Sequence, residues 1–403
     1  MSRNIYIYTS LFPYSLISES FLATEVEIVS ERNNLTIVPT SFEKVSRKVP
    51  DTVNIDNGIC QCGILYKFKC LLSIFSFTTF KLIVQSKEFA YIKRYPFDLI
   101  KYLYGTYLIY YDVCKKIKVD PTACFYSYWF SYPPIAFSLY KHKNPQTQAK
   151  FISRAHGSDV YGVDVGVYYP LRNFVAKYID NVYCVSSYGM EYLKNKYAVL
   201  SGKIHISRLG VVNDNGATSM ASNSIQLLSC ARVIGLKRLP LLFLSVAKYA
   251  ERNPQSKFKW THLGDGPEMQ ALESYIQAYS KPANLIVDLK GQMSNELIKD
   301  YYRNNHIDCF LLLSSSEGVP VSIMEAISFG VPVLATRVGG VSEIVTRDVG
   351  ILLSVDYAQR EFDEALSSII ADREKYRTTS YNFFEQNYNA RKNYLEFYEN
   401  IEN

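Results

Sequence analysis

Several signatures that settle a protein's chemistry at a glance are missing from these 403 residues. No stretch reaches the roughly 18–20 uninterrupted apolar residues that a membrane-spanning helix needs. Lys81 interrupts the best candidate, Leu71–Val84. The start of the chain has Arg3 but no long apolar run and no small-residue cleavage site, so no secretory signal is expected. No two aspartates stand one residue apart, and no His/Cys/Asp/Glu cluster has metal-ligand spacing, so no metal is expected. No Gly-x-Gly-x-x-Gly follows the first apolar strand, which argues against a simple nicotinamide enzyme. A Gly-x4-Gly-Lys-Ser/Thr phosphate loop is also absent. The eight cysteines lie mostly in apolar contexts, and Cys60-Gln-Cys62 lacks the two-residue spacing of zinc or redox motifs. They read as reduced structural thiols of a cytosolic protein.

What remains is an ordinary globular composition, 48% hydrophobic and 20% charged, long enough for two or three domains. The 34 tyrosines read as rigid, half-buried filler and indicate no activity by themselves. The formal charge of +6 is concentrated: residues 58–150 hold thirteen Lys/Arg against four Asp/Glu. That block is also aromatic and apolar. It fits an anionic membrane face or an anionic lipid-linked ligand, and equally a solvated helix face over a core. No nucleic acid is expected as a partner.

Periodicity orders the chain. A strand Asn4–Ser10 precedes a proline-containing loop, a helical pattern over 18–32 and a strand Leu35–Val38. Residues 58–118 read as largely helical. Strands then alternate with helices to about 207. Residues 213–224 are small, polar and aperiodic, the best linker in the chain. Beyond it come apolar strands at 225–231, 258–263, 285–289, 309–313 and 332–335, with helices between them. Short apolar strands alternating with helices imply parallel sheets covered on both faces. The expectation is two doubly wound α/β domains facing a central cleft: 1–212, then 225–383, with a C-terminal helix in 384–403 returning to the first. Ligands of such sheets bind beyond the C-terminal strand edges, so the motifs should lie in strand-to-helix loops.

They do. After Cys309–Leu313 comes Ser314-Ser-Ser-Glu-Gly-Val-Pro, with Pro320 expected as the first residue of a helix. Gly318 permits close backbone approach, and the amides of Val319, Val321 and Ser322 make a helix-start anion site suited to phosphate. Carboxylates do not bind anions, so Glu317 and Glu325 are better explained as acceptors for neutral hydroxyls. A nucleotide diphosphate-sugar offers both kinds of group. The alternative leaves Glu317 in a solvated loop and Glu325 on an exposed helix face. Arg232 and Lys237 follow the first strand beyond the linker, where fixed positive charge would stabilise a departing diphosphate. They can also be read as surface residues capping a loop. Gly264 in Gly-Asp-Gly-Pro-Glu268 and Gly339-Gly340 are sufficiently explained as turns. Gly291 is better read as a turn glycine, although it could border a nucleobase. In Arg154-Ala-His-Gly-Ser-Asp-Val-Tyr161, His156 stands at a strand end, with Asp159 able to orient it or bind a hydroxyl.

Together these residues carry a resemblance. Glu317-Gly-Val-Pro-Val-Ser-Ile-Met-Glu325, then Gly330-Val-Pro-Val-Leu-Ala-Thr336 and Val338-Gly-Gly-Val-Ser-Glu-Ile-Val345, resemble retaining glycosyltransferases of family four, which have the GT-B fold. Residues 154–161, Ser207–Val211 and Tyr126-Ser-Tyr-Trp129 look like its bacterial exopolysaccharide, capsule and O-antigen branch. The resemblance is close over about 120–355 and loose over 40–120. By it, Glu317 would bind donor-sugar hydroxyls and the reacting centre, Glu325 the ribose, and Arg232 and Lys237 the diphosphate. His156 would contact the donor sugar, with Asp159 and Tyr161 on the acceptor or orienting side. One departure stands out: the loop 11–19 lacks the glycines that relatives bring close to the diphosphate.

The implied activity is a retaining, metal-independent hexosyltransferase without cofactor, using a UDP- or GDP-linked sugar. Its expected acceptor is a polyprenyl-diphosphate-linked saccharide, and its expected place the inner face of the cytoplasmic membrane. Two competitors are a nucleotide-sugar epimerase on the same fold and a non-catalytic partner of another transferase.

Overall fold

The structure, a computed structural model, describes residues 3–15, 18–86, 89–213 and 222–402. It divides into two compact units, Met1–Leu209 with Ala390–Asn403, and Gly210–Asn389. The linker expected at 213–224 falls largely on 214–221, outside the described residues.

The first unit is built on seven strands: Asn4–Thr9 (β1), Asn34–Pro39 (β2), Asn54–Ile55 (β3), Cys124–Ser127 (β4), Lys150–Ala155 (β5), Asn181–Cys184 (β6) and Ile204–Ile206 (β7). All pairs are parallel, in the order β3-β2-β1-β4-β5-β6-β7. Strands such as Cys-Phe-Tyr-Ser in β4 are buried throughout, as a sheet covered on both faces requires. Apolar clusters around Phe125, Phe137 and Phe151, and around Leu103, Phe130 and Val182, supply that cover.

Helix Ser20–Val29 (α1) packs beside the final helix, Ala390–Glu402. Between them lies a buried ion pair. Arg154 Nη1 donates to Glu25 at 2.6 Å, both side chains being fully buried, and Nη2 donates to Ser207 Oγ at 2.9 Å. Tyr126 and Tyr398 each donate to Glu25 at 3.2 Å, and the guanidinium stacks 4.3 Å from the Phe397 ring. Arg154, part of the quoted motif, is therefore a structural residue.

The basic aromatic block forms helices Ile64–Ile74 (α2), Phe77–Ser86 (α3), Phe89–Arg94 (α4) and Pro96–Val119 (α5). Among the described residues no single helix is long and apolar enough to cross a membrane; α2 and α3 together form a pair bent by 48°.

The second unit carries six parallel strands: Ile225–Cys230 (β8), Phe258–Leu263 (β9), Leu285–Leu289 (β10), Cys309–Leu312 (β11), Val333–Thr336 (β12) and Gly350–Leu353 (β13). Their order is β10-β9-β8-β11-β12-β13. Its core gathers Phe243, Trp260, Leu311, Leu334 and Phe362. In each sheet the winding direction reverses once, between β1 and β4 and between β8 and β11, and such switch points open a crevice beyond the strand ends. Every residue singled out from the sequence follows a strand end or lies on the helix leading away.

Candidate active site

In the second unit four loops at the strand ends are hydrogen-bonded into one assembly. Val233 N–H donates to Asp265 O at 3.0 Å and Gly235 N–H to Glu268 Oε1 at 2.7 Å, joining the loops after β8 and β9. Ser315 N–H donates to Leu236 O at 2.8 Å, bringing in the loop after β11. Gly340 N–H donates to Gly318 O at 2.8 Å, adding the loop after β12. A turn is therefore not the whole explanation of Gly339-Gly340. Gly339 has φ +47°, and a Cβ there would stand 1.8 Å from Glu317 O, so only glycine lets this backbone press against the Glu317 loop. Gly264 is constrained in the same way, since its Cβ would lie 2.0 Å from Ala231 O. Its N–H donates to Gly291 O at 2.9 Å, so the structure brings together two glycines that the sequence treats as separate turns.

Within this frame Lys237 Nζ lies 2.5 Å from Glu317 Oε1, which also accepts from Ser314 Oγ at 2.6 Å. Their side chains are 20% and 8% exposed. Arg232 is exposed and has no hydrogen-bond or ion-pair partner among the described residues. Arg238, which the sequence reading passed over, is a strut: its guanidinium donates to Leu313 O at 2.6 Å and Val355 O at 2.9 Å. It supports the end of β11 from behind. Its only sequence signal is its place beside Lys237.

Pro320 does not open the following helix. It sits at the N-cap with ψ 113°, and the helix runs Val321–Ser328. The first helical amides are thus those of Val321 and Ser322, while Gly318 and Val319 belong to the approach loop. Glu325 lies on the buried side of this helix, not on an exposed face. Burial pushes its carboxyl up to about 7, with Lys299 opposing weakly. Burial, and then the charge of Glu325, also raise the Cys230 thiol.

In the first unit His156 follows β5, its ring packed 4.7 Å from both Tyr128 and Trp129. Nε2–H donates to Tyr128 O at 3.0 Å, and burial pulls the imidazole down to about 4, so it is neutral at physiological pH. Asp159 does not orient that ring. Its two carboxylate oxygens accept the backbone amides of His156 at 2.8 Å and Phe130 at 3.0 Å, joining the loops after β4 and β5. Tyr161 packs against Tyr188 and Tyr192 and accepts through its carbonyl from the Tyr192 hydroxyl at 3.1 Å.

The glycine-free loop after β1 has a distinct solution. Glu19, at φ +54°, turns its carboxylate back into the loop. It accepts the amides of Ser10, Leu11 and Phe12 at 2.8, 2.8 and 2.7 Å and the Trp129 indole N–H at 2.7 Å. A nest of amides that could hold a phosphate is filled by the protein's own anion.

Residues 215–386 match the family model for glycosyl transferases group 1. The O-antigen biosynthesis glycosyltransferase WbnH of Escherichia coli is 26% identical over 207 residues, 51% of this chain and 55% of that protein. The chain spans about half, or less, of the length of the curated relatives it matches. Among solved structures, the lipopolysaccharide outer core galactosyltransferase WaaB superposes with TM-score 0.70 at 13% identity, covering 99% of this chain and 100% of that one. HepE of Anabaena in complex with UDP-glucose gives TM-score 0.60 at 13% identity, covering 99% of each chain. Residues 215–386, most of the second unit, are thus similar to a group 1 glycosyltransferase domain and to parts of bacterial O-antigen and colanic acid glycosyltransferases, and the chain has the GT-B fold.

Proposed function

We propose that this chain is a retaining, metal-independent glycosyltransferase. It moves a hexose from a UDP- or GDP-linked donor to a growing bacterial surface polysaccharide carried on a polyprenyl diphosphate. The observation that carries the reading is the grouping of the Lys237–Glu317 pair, unpartnered Arg232 and the helix start at Val321 around the β8/β11 switch point. Cation and helix-start amides suit the diphosphate; Glu317 and Glu325 suit sugar and ribose hydroxyls. As the bond from the anomeric carbon to the diphosphate oxygen breaks, negative charge grows on the leaving group. Arg232 and Lys237 stabilise that charge more in the transition state than in the ground state. The acceptor hydroxyl attacks from the same face and passes its proton to the departing phosphate. The contact with the donor sugar that the resemblance assigns to His156 calls for a neutral imidazole, the form its burial enforces.

The same reading sets the enzyme on the cytoplasmic face of an anionic membrane. Supporting it are the large apolar side chains that α2, α3 and α5 turn to solvent, with Leu65 83%, Phe75 80%, Phe77 80% and Phe97 85% exposed. Lys67, Lys69 and Lys81 lie among them. Apolar side chains for the acyl boundary and cations for the headgroups are what an in-plane amphipathic surface requires.

The test is a melting-temperature screen with UDP, GDP and their sugars, followed by turnover with lipid-linked acceptors. A rise with one nucleotide and transfer from its sugar is the expected result. No shift with any nucleotide and no turnover would sink the reading. Free nucleotide released without any acceptor would point to the epimerase instead.

A further inference from the structure

We propose that His262 is a positioning residue for the transfer reaction: through the Ala231 carbonyl it sets the rotation of the peptide whose nitrogen belongs to Arg232. This role rests on the reading of Arg232 as a ligand of the donor diphosphate. His262 stands near the end of β9, two residues before Gly264, and is 0% exposed. An imidazole buried that deeply needs a partner at each ring nitrogen, and here the two nitrogens meet different groups.

The first partner fixes the tautomer. His262 pairs in register with Ser229 of β8, and Nδ1 lies 2.8 Å from Ser229 Oγ. That oxygen already accepts the Trp260 indole N–H at 2.9 Å, and an indole can only donate. The serine hydroxyl therefore gives its own proton to Nδ1, and the proton of the neutral ring falls on Nε2. Burial pulls the imidazole down to about 4, so this neutral form is the one present near pH 7. Nε2–H faces the Ala231 carbonyl, in a contact that falls short of a well-formed hydrogen bond. A buried donor in that state gains from any small rotation that brings the carbonyl into line.

The peptide that Nε2–H addresses lies between two anchored neighbours. Before it, Ala231 N–H donates to Leu263 O at 3.1 Å. After it, Val233 N–H donates to Asp265 O at 3.0 Å, and Val233 O accepts from Glu268 N–H at 3.2 Å. The Ala231–Arg232 peptide spans the gap, and the missing Cβ of Gly264 gives its carbonyl the room to turn toward His262. The exposed Arg232 guanidinium has no hydrogen-bond or ion-pair partner among the described residues, so the direction in which it leaves the loop is set by the backbone beneath it. A fixed starting direction raises the share of side-chain conformers that reach the diphosphate, which is pre-organisation. His262 itself is buried away from donor and reacting atoms and acts only through that peptide.

Two measurements on the full chain test this. Nitrogen-15 resonances of the five histidine rings, with His262 assigned through His262→Gln, show which nitrogen carries the proton. A proton on Nε2 is expected; one on Nδ1 overturns the role, whatever the chain catalyses. The second measurement is a cycle of substitutions followed by transfer from nucleotide sugar to lipid-linked acceptor. Glutamine places an amide N–H where Nε2 stands, and asparagine places its amide where Nδ1 stands. His262→Gln should therefore hold kcat within about threefold, while His262→Asn lowers it about tenfold with little change in the donor KM. In an Arg232→Ala background the same asparagine substitution should cost less than about twofold, because the group it positions is gone. Equal losses in the two backgrounds, or equal losses for glutamine and asparagine, would mark a merely structural histidine and leave the transferase reading standing. Turnover that Arg232→Ala does not change would remove Arg232 from the diphosphate, and the role of His262 with it.

Discussion

Lys237 Nζ and Glu317 Oε1 lie 2.5 Å apart, joining the loop after β8 to the loop after β11. On the proposed reading each is the other's charged partner until a donor binds, and the diphosphate then draws Lys237 away while the sugar hydroxyls replace it at Glu317. The pair thus keeps two charged groups poised in a partly buried place where neither would be stable alone.

Lys237→Ala and Arg232→Ala are each expected to lower kcat/KM by about 10²–10³-fold, the loss typical of one group stabilising transition-state charge. Their effects on stability should differ. Lys237→Ala strands Glu317 and lowers the melting temperature, whereas Arg232→Ala, lacking a partner to strand, leaves it in place. Steady-state kinetics and thermal melts of both variants decide this. A loss below tenfold for Arg232→Ala would remove it from the diphosphate site.

Glu325 should make donor binding depend on pH. Its carboxyl, pushed up to about 7 by burial, ionises across neutrality, and the ionised form is the stronger acceptor for ribose hydroxyls. Nucleotide affinity should rise between about pH 6 and 8, and Glu325→Gln should flatten that rise. Stability runs the other way. A carboxyl whose folded value is raised above 4.5 destabilises the fold as pH climbs from 4.5 to 7, by roughly 3 kcal/mol in all. Calorimetric titration of both proteins with UDP at several pH values checks the first claim, and denaturant melts the second.

Removing Glu25 should be severe. Glu25→Ala leaves the Arg154 guanidinium buried without its counter-charge, at a cost of about 3–5 kcal/mol. Tyr398 loses its acceptor at the same time, so amide exchange in Ala390–Glu402 should speed up more than in the second unit. Hydrogen-exchange mass spectrometry distinguishes this local release from uniform loosening, which would contradict the assignment.

The exposed aromatics of α2 and α3 are expected to matter for lipid and not for folding. Replacing Phe75, Phe77 and Phe80 by serine should cut partitioning onto anionic vesicles by about 100-fold or more, while the melting temperature holds or rises. Vesicle co-sedimentation at two salt concentrations measures it. Unchanged partitioning would place any membrane contact elsewhere.

Much of the fold is legible in the sequence because it is written locally. Buried strands such as Phe310-Leu-Leu312 announce themselves as short apolar runs, and the turns that end them supply the loop positions. Glu317 and Glu325 stand out for a related reason, being carboxylates on an otherwise apolar background. The remainder is long-range. Glu19 meets Trp129 across 110 residues, and Arg238 meets Leu313 across 75, with no periodicity to reveal either pairing. Gly339 looks like any turn glycine until the Glu317 carbonyl is seen against it. The tyrosines read singly as filler; only the convergence of α5 with the loops after β4 and β5 turns some of them into the walls of a cavity.

The ends of the second unit lie side by side. Val211 and Asn389 form a parallel bridge, with Val211 N–H donating to Tyr388 O at 3.0 Å, and the last helix belongs to the first unit. In covalent terms the second unit is an insertion, entering and leaving the first at adjacent points of its own backbone. A single cut in the segment around 210 would leave the two units joined through 389–390, and separating them takes two cuts. Loss of the last fourteen residues would uncover Arg154 and unseat the first unit.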